Sequence, residues 1–313
     1  MPVKRKVPVL GDGACPALLG CLGVGLLLYA RPVSAAVADS LSLCTAVLLP
    51  TLFPFFVLSA LLTQSCTFKG WSRLMEGLFG LPGAMAPALL LGAFGGYPVG
   101  ARTVAQLYSQ GRCSKEQAEK ALGFCNNAGP AFVISAVGSG MLGDGRLGLR
   151  LWVVHLVSAL LIGLFSKRKP CAVKVNDYTP SSARSPGGTA AFLQAVTGAM
   201  GSFLNVCAFV LIFAVLLCLL EQLPWLSSLP APWDGLLYGI LELTGGAARL
   251  AEAALPRRIL LPVLSFLCGW GGLSVQCQAM DLLHRAGLPC RRYLKSKLLH
   301  GLTAAALSLL ISG

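Results

Sequence analysis

The stretch LLGAFGGYPVGARTVAQLYSQGRCSKEQAEKALGFCNNAGP, Leu90 to Pro130, decides how the chain is read. It is apolar enough for a bilayer, yet it gathers Gly95, Gly96, Pro98 and Gly100 at one point and Asn126, Asn127, Gly129 and Pro130 at another. Gly and Pro weaken the hydrogen-bond ladder that hydrocarbon makes obligatory, so irregular backbone at membrane depth survives only inside protein or beside a watered cavity. Broken helices of this kind are where secondary transporters place their substrate sites.

Working outward, the 313 residues are 55% hydrophobic and 12% charged, with mean hydropathy +0.73. Soluble domains carry about 25% charged residues. The composition is that of an all-α polytopic membrane protein. The net charge of +13 comes from bases clustered between apolar segments, which fits cytoplasmic loops facing anionic lipid and gives no reason to invoke nucleic acid. The cysteines, among them Cys21, Cys44, Cys207, Cys218 and Cys268, lie in apolar segments without a CxxC pair, so they read as small buried hydrophobes. No cofactor or metal is expected.

Residues 1–40 (MPVKRK and an apolar run) resemble a signal peptide, with Val33-Ser34-Ala35 as a cleavage site, but are read as a retained transmembrane anchor with a cytoplasmic N-terminus. Leu41 to Leu62 spans, kinked or split by Pro50 and Pro54. Thr67 to Leu81 is an amphipathic helix with Phe68, Trp71, Leu74, Leu78 and Leu81 on its apolar face. Pro87 to Tyr108 crosses as a broken helix. Ser114 and Gln117 open the next helix as a capping box. Leu147 to Phe165 is a plain span. Residues 166–188 form a basic cytoplasmic linker between a first repeat, 41–165, and a second, 189–313. In the second, Thr189 to Met200 is a short helix, Phe203 to Leu220 spans, Glu221 to Pro256 is irregular, and CGWGGLSVQCQ interrupts Arg258 to Leu283.

Laying FGGYPVGARTVAQLYSQGR on WGGLSVQCQAMDLLHRAGL pairs Gly95 with Gly271, Gly96 with Gly272 and Leu107 with Leu283. With NNAGP as the tip of a re-entrant hairpin, the linker and the Arg285 to Lys297 loop fall on the side richer in Lys and Arg, and the repeats are inverted. Arg102 is the clearest charge at membrane depth. It either pairs with a carbonyl or headgroup or binds an anion, since its fork suits carboxylate. Asn126, Asn127, Ser135, Ser274, Gln276 and Gln278 add uncharged donors and acceptors, which taken singly read as interhelical hydrogen bonds. No Asp or Glu stands at these three breaks, which favours a planar anionic or polar solute over a cation. No HExxH, rhomboid GxSG or Walker loop is present, so no enzyme is expected.

At FGGYPVGA, NNAGP and GWGGLSVQCQ the sequence resembles the bacterial sporulation integral membrane proteins with the nucleoside-recognition, or gate, domain. The resemblance implies a fold similar to the concentrative nucleoside transporters, with re-entrant hairpins and broken transmembrane helices in inverted repeats. It also implies a role in spore formation, in moving dipicolinate, a flat dicarboxylate, across the outer forespore membrane. Those transporters use acidic residues at hairpin tips, which the three breaks here lack. The site expected from both lines comprises Arg102 on a carboxylate, Asn126, Asn127, Gln276 and Gln278 on the polar edge, and Gly95, Gly96, Gly271 and Gly272 admitting backbone amides. A nucleoside or other neutral heterocycle, or a membrane assembly factor for the spore envelope, is the alternative. The partners expected are a small anionic substrate and the lipid bilayer. A homo-oligomer and other sporulation membrane proteins stay open.

Overall fold

The computed structural model describes residues 14–65, 69–166 and 188–311, and contains helices without a strand among them. MPVKRK, Phe68 and the body of the linker lie outside the described residues. Helix α1 (Ala14–Leu28) meets α2 (Ala30–Leu43) at 91°, so the 1–40 stretch is not one straight anchor. From α2 the chain continues through a π turn (Cys44–Leu48) into α3 (Leu49–Ser65), with Pro54 inside the helix. The boundary at residue 40 therefore falls within a helix.

Helix α4 (Lys69–Leu74) and a π turn (Met75–Phe79) follow, and this segment bends by 108° into α5 (Ala86–Phe94). Its buried face is Met75, Phe79 and Leu81, while Trp71 and Leu78 are 43% and 45% exposed. The expected apolar stripe is thus split: Trp71 and Leu78 face outward, whereas Leu81 is buried and Leu74 packs against the core.

Two short helix pairs fold back on themselves. In the first, α5 turns at Gly95–Pro98 into α6 (Val99–Ser109). A Cβ built on Gly92 would lie 3.3 Å from the Gly100 Cα, a separation that a continuous helix between those positions cannot give. In the second, α11 (Trp233–Leu241) turns at Glu242 into α12 (Leu243–Glu252), and a Cβ on Gly246 would come within 2.1 Å of the Gly239 Cα.

Two other interruptions run on. Helix α7 (Lys115–Cys125), opened by the expected Ser114–Gln117 capping box, gives way at Asn126–Pro130 to a π-helix (Ala131–Met141). Helix α8 (Gly145–Phe165), capped by Asp144, lies antiparallel along the whole of that path: Gly163 against Phe124, His155 on the Ala128 amide, Gly148 against Gly138. The Leu147 N–H holds the Asp144 carboxyl below its usual range. Likewise α13 (Arg257–Trp270) passes Gly271 into α14 (Gly272–Arg285) as one 29-residue span, flanked by α15 (Arg291–Ser308) with Gly269 on Gly301.

Each half is therefore a hairpin, a broken crossing and a plain crossing. This corrects two expectations. NNAGP is the middle of a crossing and not a hairpin tip, whereas Pro87 to Tyr108 is the hairpin and not a crossing. The structural counterpart of Gly271 is NNAGP, not Gly95. Between the halves, Thr189 to Leu220 is no pair of helices but the single 34-residue α9 (Gly188–Glu221), followed by the short α10 (Pro224–Ser227). Because α9 crosses once, the second half enters from the opposite face and the repeats are inverted. The hairpin α5–α6 opens on the face that holds Lys69, Arg73, Arg112, Lys115, Arg285, Arg291, Arg292 and Lys295. The hairpin α11–α12 opens on the face that holds Arg31, Arg146, Arg150, Arg249, Arg257 and Arg258. By the positive-inside rule the richer first face is the one expected on the cytoplasmic side.

Two hydrophobic clusters lie on either side of the breaks, one around Phe79, Phe124 and Tyr293, the other around Val133, Leu151 and Leu264. A polar layer separates them.

A reporter enzyme fused after Gly111 is expected to read as cytoplasmic and one after Gly143 as external, whereas a hairpin at NNAGP would make both external. Gly269→Leu drives a side chain into Gly301 and is expected to cost on the order of 1–3 kcal/mol or more, seen as loss of monodisperse protein in detergent. Gly20→Leu, at a position with nothing within 4 Å, serves as the neutral control.

Candidate functional site

The two hairpin tips and the two broken crossings meet. A Cβ on Gly96 would sit 3.2 Å from the Gly129 amide, bringing the first tip to the first break. The Tyr97 hydroxyl donates to the Cys268 carbonyl at 2.9 Å, and its ring lies against Gly271, bringing the same tip to the second break. Trp270 Nε1 donates to the Ile240 carbonyl at 3.2 Å, and Gly272 packs on the Leu243 amide, which brings in the second tip. Gly96, Gly271 and Gly272 hold φ of 75°, 89° and 76°, in the left-handed region that favours glycine.

A cavity of about 370 Å³ lies among these segments. Its wall includes Gly95, Gly96 and Tyr97 from the first tip, Ala128, Gly129, Ala131 and Phe132 from the first break, Glu242 to Gly245 from the second tip, and Ser274, Val275 and Gln278 from α14. Helices α2, α3 and α9 close it with Ser40, Phe55, Val206 and Leu217. Small-molecule sites have this character, an apolar wall with a few polar groups. Helix α6 gives no residue to the wall, and its first turn is held by Asn126 on the Ala101 amide; two helices begin at the wall without a side-chain cap, the π-helix and α14. Their N-termini bring partial positive charge.

The structure separates the expected site residues. Gly95, Gly96 and Gln278 line the cavity, and Gly271 and Gly272 form the turn behind it. Arg102 does not line it. Its guanidinium donates to the Phe56 carbonyl at 2.7 Å, lies over the Phe56 ring, and borders a separate surface hollow with Ser109 and Arg285. Asn126 is an internal tie, its Oδ1 accepting from the Ala101 amide and its Nδ2 donating to the Tyr293 hydroxyl. Asn127 donates to the Phe124 carbonyl and Gln276 to the Trp270 carbonyl, each keeping one buried oxygen without a partner. Ser135 is exposed on the π-helix.

Two functional features escape the three breaks read from sequence. One is Glu242, whose extended backbone (φ −142°, ψ 118°) makes the second tip, with its carboxylate accepting from Thr244 N at 2.9 Å and Gly245 N at 2.7 Å. An acidic residue does stand at a break. The cue was ILELTGG, a lone charge followed by small residues in an apolar run. The other is Lys297, which belongs to α15, not to a loop, and is fully buried.

No family model matches the chain, and no solved structure matches it. The chain is similar to the sporulation integral membrane protein YlbJ of Bacillus subtilis (strain 168), 27% identical over 307 residues that cover 87% of this chain and 75% of the relative.

Proposed function

We propose that this chain is a membrane transporter of a small planar anionic heterocycle, with dipicolinate as the solute to test first and the envelope of a developing spore as its setting. The observation that carries the reading is the convergence of two oppositely directed hairpin tips and two broken crossings on one cavity. Inverted repeats around such a site permit alternating access by rocking of one half against the other. The uncapped N-termini of the π-helix and α14 supply the attraction for carboxylates that the sequence assigned to Arg102. Hairpins and broken helices in inverted repeats, the arrangement that the sequence resemblance implies, support the transport class. The similarity to YlbJ supports the sporulation setting.

A second reading, a nucleoside or other neutral heterocycle, draws on Glu242 and on the lack of Lys and Arg among the described residues lining the cavity. A carboxylate accepts from ribose hydroxyls but repels a dianion.

Purified protein in proteoliposomes is expected to take up radiolabelled dipicolinate saturably, with uridine failing to compete. Glu242→Gln separates the two readings. Relief of about 1 kcal/mol of repulsion would tighten dipicolinate roughly fivefold, while a uridine carrier would weaken. Arg102→Ala is expected to lower the yield of folded protein and leave KM within about twofold. Saturable uridine uptake without dipicolinate uptake overturns the anion reading. No uptake of either solute by folded protein returns the weight to an assembly role.

A further inference from the structure

Beside the cavity, on the far side of the first break, a cluster of nitrogen bases is sealed in the protein. Lys297 and His300 are 0% exposed and His155 is 1% exposed. Backbone groups fix the hydrogen positions. His300 Nε2 lies 3.0 Å from the His155 carbonyl, which can only accept, so Nε2 carries the hydrogen and Nδ1 is the acceptor. Lys297 Nζ, 2.9 Å from that Nδ1, is then the donor, and it also donates to the Asn126 carbonyl at 2.8 Å. The Ala128 amide donates to His155 Nε2 at 3.0 Å, so the His155 hydrogen sits on Nδ1, which has no partner.

Among the described residues no carboxylate lies within ion-pair distance of Lys297. The deeper titratable side chains on the packed elements are Tyr97 of the first hairpin, Cys125 of α7, Cys268 of α13 and Tyr293 of α15, while the other Lys and the Arg and Glu residues of the hairpin, α7, α8, α13 and α15 are half-buried or exposed. An ionisable group at this depth without a counter-ion marks a pathway more often than a scaffold.

We propose that Lys297, His300 and His155 are the proton site of the transporter, and that one proton moves in the same direction as each solute. The inference rests on the transport reading and names its coupling ion. Geometry ties the site to the parts that must move. Nζ holds the Asn126 carbonyl of the first break, and the Asn126 side chain holds Ala101 of the first hairpin. Nζ also lies 5.0 Å from the centroid of the Tyr97 ring, and Tyr97 lines the cavity while its hydroxyl holds the second break. A proton arriving on the lysine amine forms an N–H bond and adds one positive charge behind the cavity wall. That charge favours an anion in the cavity, and by linkage the anion favours the proton. The two therefore load and unload together. Departure of the proton returns the neutral amine and weakens the hold on Asn126 and Tyr97.

The test uses the full chain in proteoliposomes with the membrane potential clamped by valinomycin and equal potassium, and protein-free vesicles as blank. Exchange of internal for external radiolabelled dipicolinate at equal pH reports transport alone. An outside pH one unit lower is then expected to drive about tenfold accumulation, with pyranine inside recording about one proton per solute. In Lys297→Gln and His300→Gln the gradient is expected to give accumulation within about twofold of the level without it, whatever exchange rate each variant keeps. If Lys297→Gln does not insert, His300→Gln decides. Wild-type exchange without gradient-driven accumulation, or tenfold accumulation retained in the variants, overturns the proton site and leaves the transport reading standing. Absence of exchange in the wild type instead overturns the transport reading and this inference together.

Discussion

Everything in this structure follows from the need to satisfy backbone N–H and C=O groups where no bulk water reaches. Four segments stop being helical at membrane depth, and each hands its free groups to another. The Cys268 carbonyl takes the Tyr97 hydroxyl, the Ile240 carbonyl takes the Trp270 indole, the Ala128 amide finds His155, and the Asn126 carbonyl finds Lys297. Small residues let the backbones come this close. A Cβ at Gly92 or Gly100 would lie 1.6 or 1.8 Å from the Cys125 carbonyl oxygen, so neither position admits a side chain. The breaks are therefore mutually dependent, and a change at one is felt at the others.

This arrangement gives the cavity its chemistry. An unbroken bundle would offer a solute only side chains, whereas here two helix N-termini and the backbone of two tips face it. Glu242 engages the start of its own helix α12, so the one charged group among the described residues of the wall is partly committed before any solute arrives. Lys297 lies behind the wall, close enough to Tyr97 to influence occupancy without touching the solute.

Composition and hydropathy made the fold class legible, and clusters of Gly, two of them with Pro, marked three of the four breaks. What they could not tell was which breaks fold back, because helical periodicity is the same on either side of a turn and of a straight interruption. Contacts distant in sequence decide that, Gly239 with Gly246 for a hairpin and Gly269 with Gly301 beside a crossing. The fourth break was hidden because Leu241-Glu242-Leu243 turns without Gly or Pro, the carboxylate doing the capping. Arg102 stood out as a lone charge but is held by the Phe56 carbonyl, the pairing its sequence context equally allowed. Lys297 was concealed in the basic run RRYLKSK, where a buried base looks like any other loop charge.

The most direct measurement of whether these breaks enclose the solute is protection of a cysteine placed at Thr244, in the second tip, in a chain freed of its native cysteines. With the cavity as the solute site, a water-soluble maleimide labels Thr244→Cys in vesicles, and saturating dipicolinate slows that labelling at least severalfold while leaving a cysteine at Ser109, in the outer hollow beside Arg102, unaffected. Labelling at Thr244→Cys that proceeds at the same rate with and without solute, or protection confined to Ser109→Cys, would contradict the account.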